Sequence, residues 1–112
     1  MRIELINTGS ELLIGQTQNT HHSWMAQQLG QHGYRLDHQS TIHDAGPAIR
    51  EALETALSRS DLVMTTGGLG PTSDDRTRDD IAEMLQKPLR SSQSVVDHIS
   101  DYFERRGRQM PE

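Results

Sequence analysis

Cysteine is absent from all 112 residues, which excludes disulfides, zinc–thiolate centres and a thiol nucleophile. Large aliphatic residues are scarce: Leu, Ile, Val and Phe together make 22 of the 112, close to the fraction, about a fifth, at which chains struggle to build a core. A self-sufficient domain of this size would bury roughly 60–70% of its unfolded surface. The composition therefore suggests part of a domain. No apolar run approaches the ~20 residues of a membrane span. Met1-Arg2 leads into a strand of only about six residues rather than a signal peptide. The formal net charge is −5, whereas a general nucleic-acid binder is usually basic. These absences predict a soluble, cytoplasmic protein with no nucleic-acid and no membrane partner.

What is present is an alternating pattern. Residues 2–8 (Arg-Ile-Glu-Leu-Ile-Asn-Thr) read as a strand ended by Gly9, and a loop follows through Gly15 to about Gln18. Asn19 or Thr20 caps a helix to about Gln31, with Gly33 placed as its C-terminal glycine. Residues 34–42 form a second strand. Asp44 caps the next helix, Pro47 falls in its first turn, and Ile49, Leu53, Ala56 and Leu57 trace one helical face. Residues 61–66 make a third strand, Thr77 to about Gln86 a third helix, and Ser91 or Ser92 starts a fourth that runs to about Arg106. The order β-α-β-α-β-α-α predicts an α/β fold, three-layered, with a mostly parallel sheet and helices on both faces. Nothing follows the last helix to add further strands, so the fold reads as incomplete at the C-terminus.

Residues 65–80 carry the strongest functional signal. Thr66-Gly67-Gly68-Leu69-Gly70-Pro71-Thr72-Ser73-Asp74-Asp75 joins an apolar strand to a helix N-terminus. Gly67, Gly68 and Gly70 can take φ > 0 and let a ligand approach the backbone, and a helix N-terminus suits phosphate. Asp74 and Asp75 at the same lip imply a hard cation such as Mg²⁺, or bound hydroxyls. The spacing is neither a Walker loop nor the dinucleotide fingerprint. A plain strand-to-helix turn, with Thr77 and Asp80 as a capping box, accounts for the same residues without a ligand. Ligands of parallel sheets bind at the C-terminal ends of the strands. That rule gathers Ser10, Glu11, Asp44 and the 67–75 loop at one edge.

Gly9-Ser10-Glu11-Leu12-Leu13-Ile14-Gly15-Gln16, Asn19, Asp44 and the Gly-Gly-Leu-Gly-Pro-Thr-x-Asp-Asp-x-Thr signature resemble the N-terminal half of the CinA (competence/damage-inducible protein) family. That half has the MoaB/Mog molybdopterin-binding fold. The resemblance covers essentially the whole chain, so residues 1–112 are expected to be the N-terminal part of one such domain, without the C-terminal amidase domain of longer members. Some members are described as metal-dependent ADP-ribose pyrophosphatases. The resemblance implies metal-dependent hydrolysis of a nucleotide-like diphosphate such as ADP-ribose, with Asp44 and Asp75 catalytic, and Glu11, Asp44 and Asp75 holding Mg²⁺, Mn²⁺ or Co²⁺. Gly67, Gly68, Gly70, Thr72, Ser10 and Asn19 would bind the substrate. The alternative is a non-catalytic module for molybdopterin or a pterin phosphate. Ser10 stands where molybdopterin-handling relatives commonly have Asp. A homo-oligomer, dimer or trimer, is also expected.

Simpler roles compete. Asn19 and Asp44 are good helix caps. Ser10 lacks an assigned base. The six histidines miss metal spacing and read as surface residues, with His43 singled out because it borders Asp44. Arg76 and Arg78 flank the acidic pair and suit either phosphate or solvent.

Overall fold

The computed structural model describes residues 1–15, 19–70, 72, 73 and 75–109. Asp74, Gln16 and Pro71 of the signature lie outside the described residues. The elements run β1 (Ile3–Thr8), α1 (Ser10–Leu13), α2 (Thr20–Gln31), β2 (His38–Ile42), α3 (Gly46–Arg59), β3 (Leu62–Thr66), α4 (Thr77–Leu85) and α5 (Gln93–Arg105). β1 is central, in the order β2-β1-β3, and both pairings are parallel, with Glu4 opposite His38 and Val63. The expected parallel α/β architecture is present.

All six residues of β1 are buried, polar ones included. Side chains alternate across a strand. Ile6 therefore joins Leu53 and Ala56 of α3 on one face, with Ile81 and Met84 of α4 packed against them. On the other face the buried Asn7 accepts from Asn19 Nδ2 at 2.9 Å and from Gln39 Nε2 at 2.8 Å, and donates to Thr66 Oγ1 at 2.6 Å.

Four local expectations are corrected. β2 begins at His38, not at residue 34, because Tyr34 N–H closes the end of α2 on Leu29 O at 2.8 Å. Asp37 then spends its carboxylate on Ile3 N–H at 2.9 Å. Asp44 does not cap α3; the cap is Ala45, without a side-chain bond. Thr77 is the first residue of α4, after the cap Arg76, so no capping box forms and its hydroxyl is turned elsewhere. Residues 10–13, expected as loop, form one helical turn.

Candidate functional site

The ends of β1 and β3 carry the same doublet, Thr8-Gly9 and Thr66-Gly67. Parallel register sets them side by side, Asn7 opposite Thr66. Thr8 Oγ1 donates to Thr66 O at 3.0 Å and lies 3.4 Å from Thr77 Oγ1, the first residue of α4. These hydroxyls form a floor beneath the glycine turn.

The glycines are required for different reasons. Gly67 and Gly68 have φ 91° and 66°, conformations that L side chains rarely adopt. A Cβ on Gly67 would collide with Thr8 O and Oγ1, and one on Gly68 with Thr77 Oγ1. Gly70 is not left-handed, contrary to the sequence expectation; a Cβ there would lie 2.5 Å from Asp75 Oδ2. Beside the turn lies a cleft of about 170 Å³ lined by Thr8, Glu11, Leu12, Thr20, His21, Thr66 and Gly67.

Of the expected site residues, Gly67 and Glu11 line this cleft, and Gly68 packs against its floor. Glu11 turns its carboxylate back over Gly9. Asp75 serves its own loop: its Oδ2 accepts from Thr72 Oγ1 at 2.6 Å and Thr72 N–H at 3.2 Å. The Thr72 hydroxyl is the chief cause that holds the Asp75 carboxyl below its ordinary value, with the Thr72 and Gly70 N–H groups and Arg78 adding to it. Asp44 Oδ2 faces the Ser10 N–H at a long 3.5 Å, and Ser10 Oγ lies 3.5 Å from His43 Nδ1. Asn19 is a cap: its Oδ1 accepts from His22 N–H at 3.2 Å while its amide braces Asn7. Arg76 is drawn to Asp80 at 3.3 Å. Among the described residues no group of three or more His, Asp and Glu side chains comes close enough to hold a metal ion. Glu11, Asp44 and Asp75 share the sheet edge without forming such a cluster, because each is turned to a different local partner.

Sequence reasoning assigned no binding role to Thr8, Thr66, Thr20 and His21. The repeated Thr-Gly doublet at two parallel strand ends was the available signal for the first two.

This arrangement, a parallel sheet with a glycine turn locked over threonine hydroxyls at its C-terminal edge, defines a small-molecule-binding α/β domain. The chain belongs to the family described as "Probable molybdopterin binding domain", which matches residues 4–110. The resemblance to CinA proteins is borne out. The chain is 44% identical over 112 residues to the "Putative competence-damage inducible protein" of Caldicellulosiruptor saccharolyticus. It is 41% identical over 111 residues to the "CinA-like protein" of Salinibacter ruber. It covers 100% and 99% of itself in these matches but spans only 27% of each relative. Among solved structures, the protein CinA of unknown function from Thermoplasma acidophilum superposes with TM-score 0.77 at 32% identity, over 98% of this chain and 64% of that one. The molybdopterin biosynthesis enzyme MoaB of Thermus thermophilus shares the fold, with TM-score 0.71 at 24% identity over 79% of this chain and 57% of that one. No helix among the described residues is long and apolar enough to cross a membrane.

Proposed function

We propose that this domain binds a phosphorylated pterin of the molybdopterin type at the C-terminal edge of β1 and β3. The observation that carries the reading is the left-handed Gly67-Gly68 turn, fitted without spare room onto Thr8 and Thr77. Such a turn presents backbone N–H groups to an anion. The adjoining cleft is lined by Thr8, Thr20, His21 and Thr66. Its 170 Å³ is below the ~300–1,000 Å³ of a site that encloses a whole small molecule. It therefore suits the phosphate-bearing end, with the pterin ring left outside it.

The competing reading is metal-dependent hydrolysis of a nucleotide-like diphosphate such as ADP-ribose. It needs Glu11, Asp44 and Asp75 to converge on Mg²⁺, Mn²⁺ or Co²⁺, with Asp44 and Asp75 taking part in catalysis. Asp75 would first have to leave Thr72.

The test is equilibrium binding of a pterin phosphate to the wild type and to Gly68→Ala, beside product analysis of ADP-ribose incubated with each cation. Micromolar pterin binding that weakens at least tenfold, about 1.4 kcal/mol, in Gly68→Ala supports the proposal. Cation-dependent phosphomonoester release, lost in Asp75→Ala, would replace it with the hydrolase reading. Pterin affinity unchanged by Gly68→Ala would sink it.

A further inference from the structure

A chain of side-chain amides crosses the α2 face of the sheet, and its polarity is fixed from one end. The backbone N–H of His22 donates to Asn19 Oδ1 at 3.2 Å. An amide oxygen only accepts and an amide NH2 only donates, so this bond decides which way Asn19 faces. Asn19 Nδ2 then donates to Asn7 Oδ1 at 2.9 Å, and Gln39 Nε2 donates to the same oxygen at 2.8 Å. Asn7 is left with its NH2 toward β3, where Nδ2 donates to Thr66 Oγ1 at 2.6 Å. Asn7 is fully buried, so turning its amide over would set donor against donor and leave buried groups unpaired.

Thr66 Oγ1 is therefore an acceptor toward Asn7, and a hydroxyl still carries one proton of its own. Among the described residues no acceptor takes that proton; the other bond at Thr66 goes from Thr8 Oγ1 to its carbonyl. Thr66 lines the cleft of about 170 Å³. Its side chain leaves β3 on the face it shares with Asn7, the face to which the start of α2 brings Asn19, Thr20 and His21.

We propose that Asn7 is a positioning residue that sets the Thr66 hydroxyl as a hydrogen-bond donor toward the cleft, and that this donor reads a phosphate oxygen of the ligand. The inference rests on the ligand reading above and adds to it the atom that meets the phosphate and the group that sets its sense. A phosphate oxygen only accepts, so it takes the free proton. An amine or amide N–H in the same place would compete for the one remaining lone pair and leave the proton unpaired.

The test is equilibrium binding of three probes, a pterin phosphate, the same pterin without its phosphate, and inorganic phosphate, to the wild type, Thr66→Val and Thr66→Ser. Thr66→Val keeps the branched shape and removes the hydroxyl. It should weaken both phosphate-bearing probes about tenfold, the scale of one hydrogen bond to a charged group. Thr66→Ser should keep most of the affinity, and the bare pterin should bind all three chains alike. Asn7→Asp places an acceptor where the NH2 stood and draws the Thr66 proton to itself. It should weaken phosphate binding more in the wild type than in Thr66→Val, where only its charge acts. If Asn7→Asp does not fold, the Asn7 side-chain amide reports instead: phosphate should shift its NMR signals in the wild type and leave them unmoved in Thr66→Val. Phosphate affinity that is equal in Thr66→Val and the wild type, an Asn7→Asp effect equal in both backgrounds, or amide signals that respond alike in both would overturn the Asn7–Thr66 role while pterin binding stands. Inorganic phosphate bound through Thr66 without any pterin phosphate binding would keep this role and sink the pterin reading. Binding of none of the probes would overturn both.

Discussion

Two pairs of helices differ sharply in what they bury. α3 and α4 contribute buried Ile49, Leu53, Ala56, Thr77 and Asp80, whereas α2 and α5 contribute no buried residue. Trp24 on α2 is 62% exposed, and Val95, Ile99 and Tyr102 on α5 are exposed too. Amphipathic sequence is thus not the same as a packed face. α3 docks because its apolar stripe meets Ile6 across a small Ala56, and because ion pairs fix its flanks, Arg50–Glu83 at 2.6 Å and Arg59–Glu4 at 2.5 Å. α2 is held at its ends: Asn19 ties its start to Asn7, and Tyr34 closes its finish. Stability should therefore reside on the α3–α4 side.

Leu53→Ala gives the largest expected effect. It removes a side chain 5% exposed at the centre of the cluster, and such truncations cost about 3 kcal/mol. Urea unfolding followed by circular dichroism measures it. A loss below about 1 kcal/mol would mean that the α3 side is no better packed than the other.

Arg59→Met comes next. Glu4 is 1% exposed, and Arg59 donates to both its carboxylate oxygens, at 2.5 and 3.2 Å. Removing one partner of a buried pair costs about 3–5 kcal/mol. Ser60 still donates to Glu4 at 2.7 Å, and the Arg59 side chain is 40% exposed, so about 2 kcal/mol is expected, on the same unfolding curves.

The same pair sets a pH signature. The Arg59 hydrogen bonds, against the opposing effect of burial, lower the Glu4 pKa from 4.5 to about 2. A carboxylate depressed on folding contributes its full stability above its unfolded value and loses it as pH falls through its folded value. Stability should decline from about pH 4.5 toward pH 2. In Arg59→Met that part of the decline should flatten. Chemical denaturation at a series of pH values reads both slopes; parallel curves would remove Glu4 from the account.

The architecture was legible because period and punctuation agreed: apolar strands, capped helices and glycines at the turns all pointed to parallel β-α units. The glycine loop was legible for the same reason, since Gly67 and Gly68 sit where left-handed backbone is needed. Partnerships were not legible. Asp75 and Asp44 look alike in sequence, yet one is claimed by Thr72 three residues away and the other faces Ser10 N–H across the sheet edge. Composition cannot say whose donor reaches a carboxylate first. Nor did Glu4 announce itself, because a charged residue in a central strand reads as solvated until the arginine 55 residues on is seen folded back to it.

The smallest expected effect is the sharpest check on the contrast between the two helix pairs. Ile99 lies on the exposed side of α5 with Val95 and Tyr102, while Val96 and Phe103 on the adjacent stripe are half-buried. Truncating an exposed side chain opens no cavity, and Ala is the better helix former by a few tenths of a kcal/mol. Ile99→Ala should therefore change stability by less than about 0.5 kcal/mol, against about 3 for Leu53→Ala. The two aliphatic truncations differ chiefly in whether a neighbour already covers the side chain. If Ile99→Ala costs as much as Leu53→Ala and the cost grows with protein concentration, α5 is buried against another copy. If the cost is large and independent of concentration, α5 packs more closely onto its own chain than its exposure indicates, and the contrast between the two helix pairs fails.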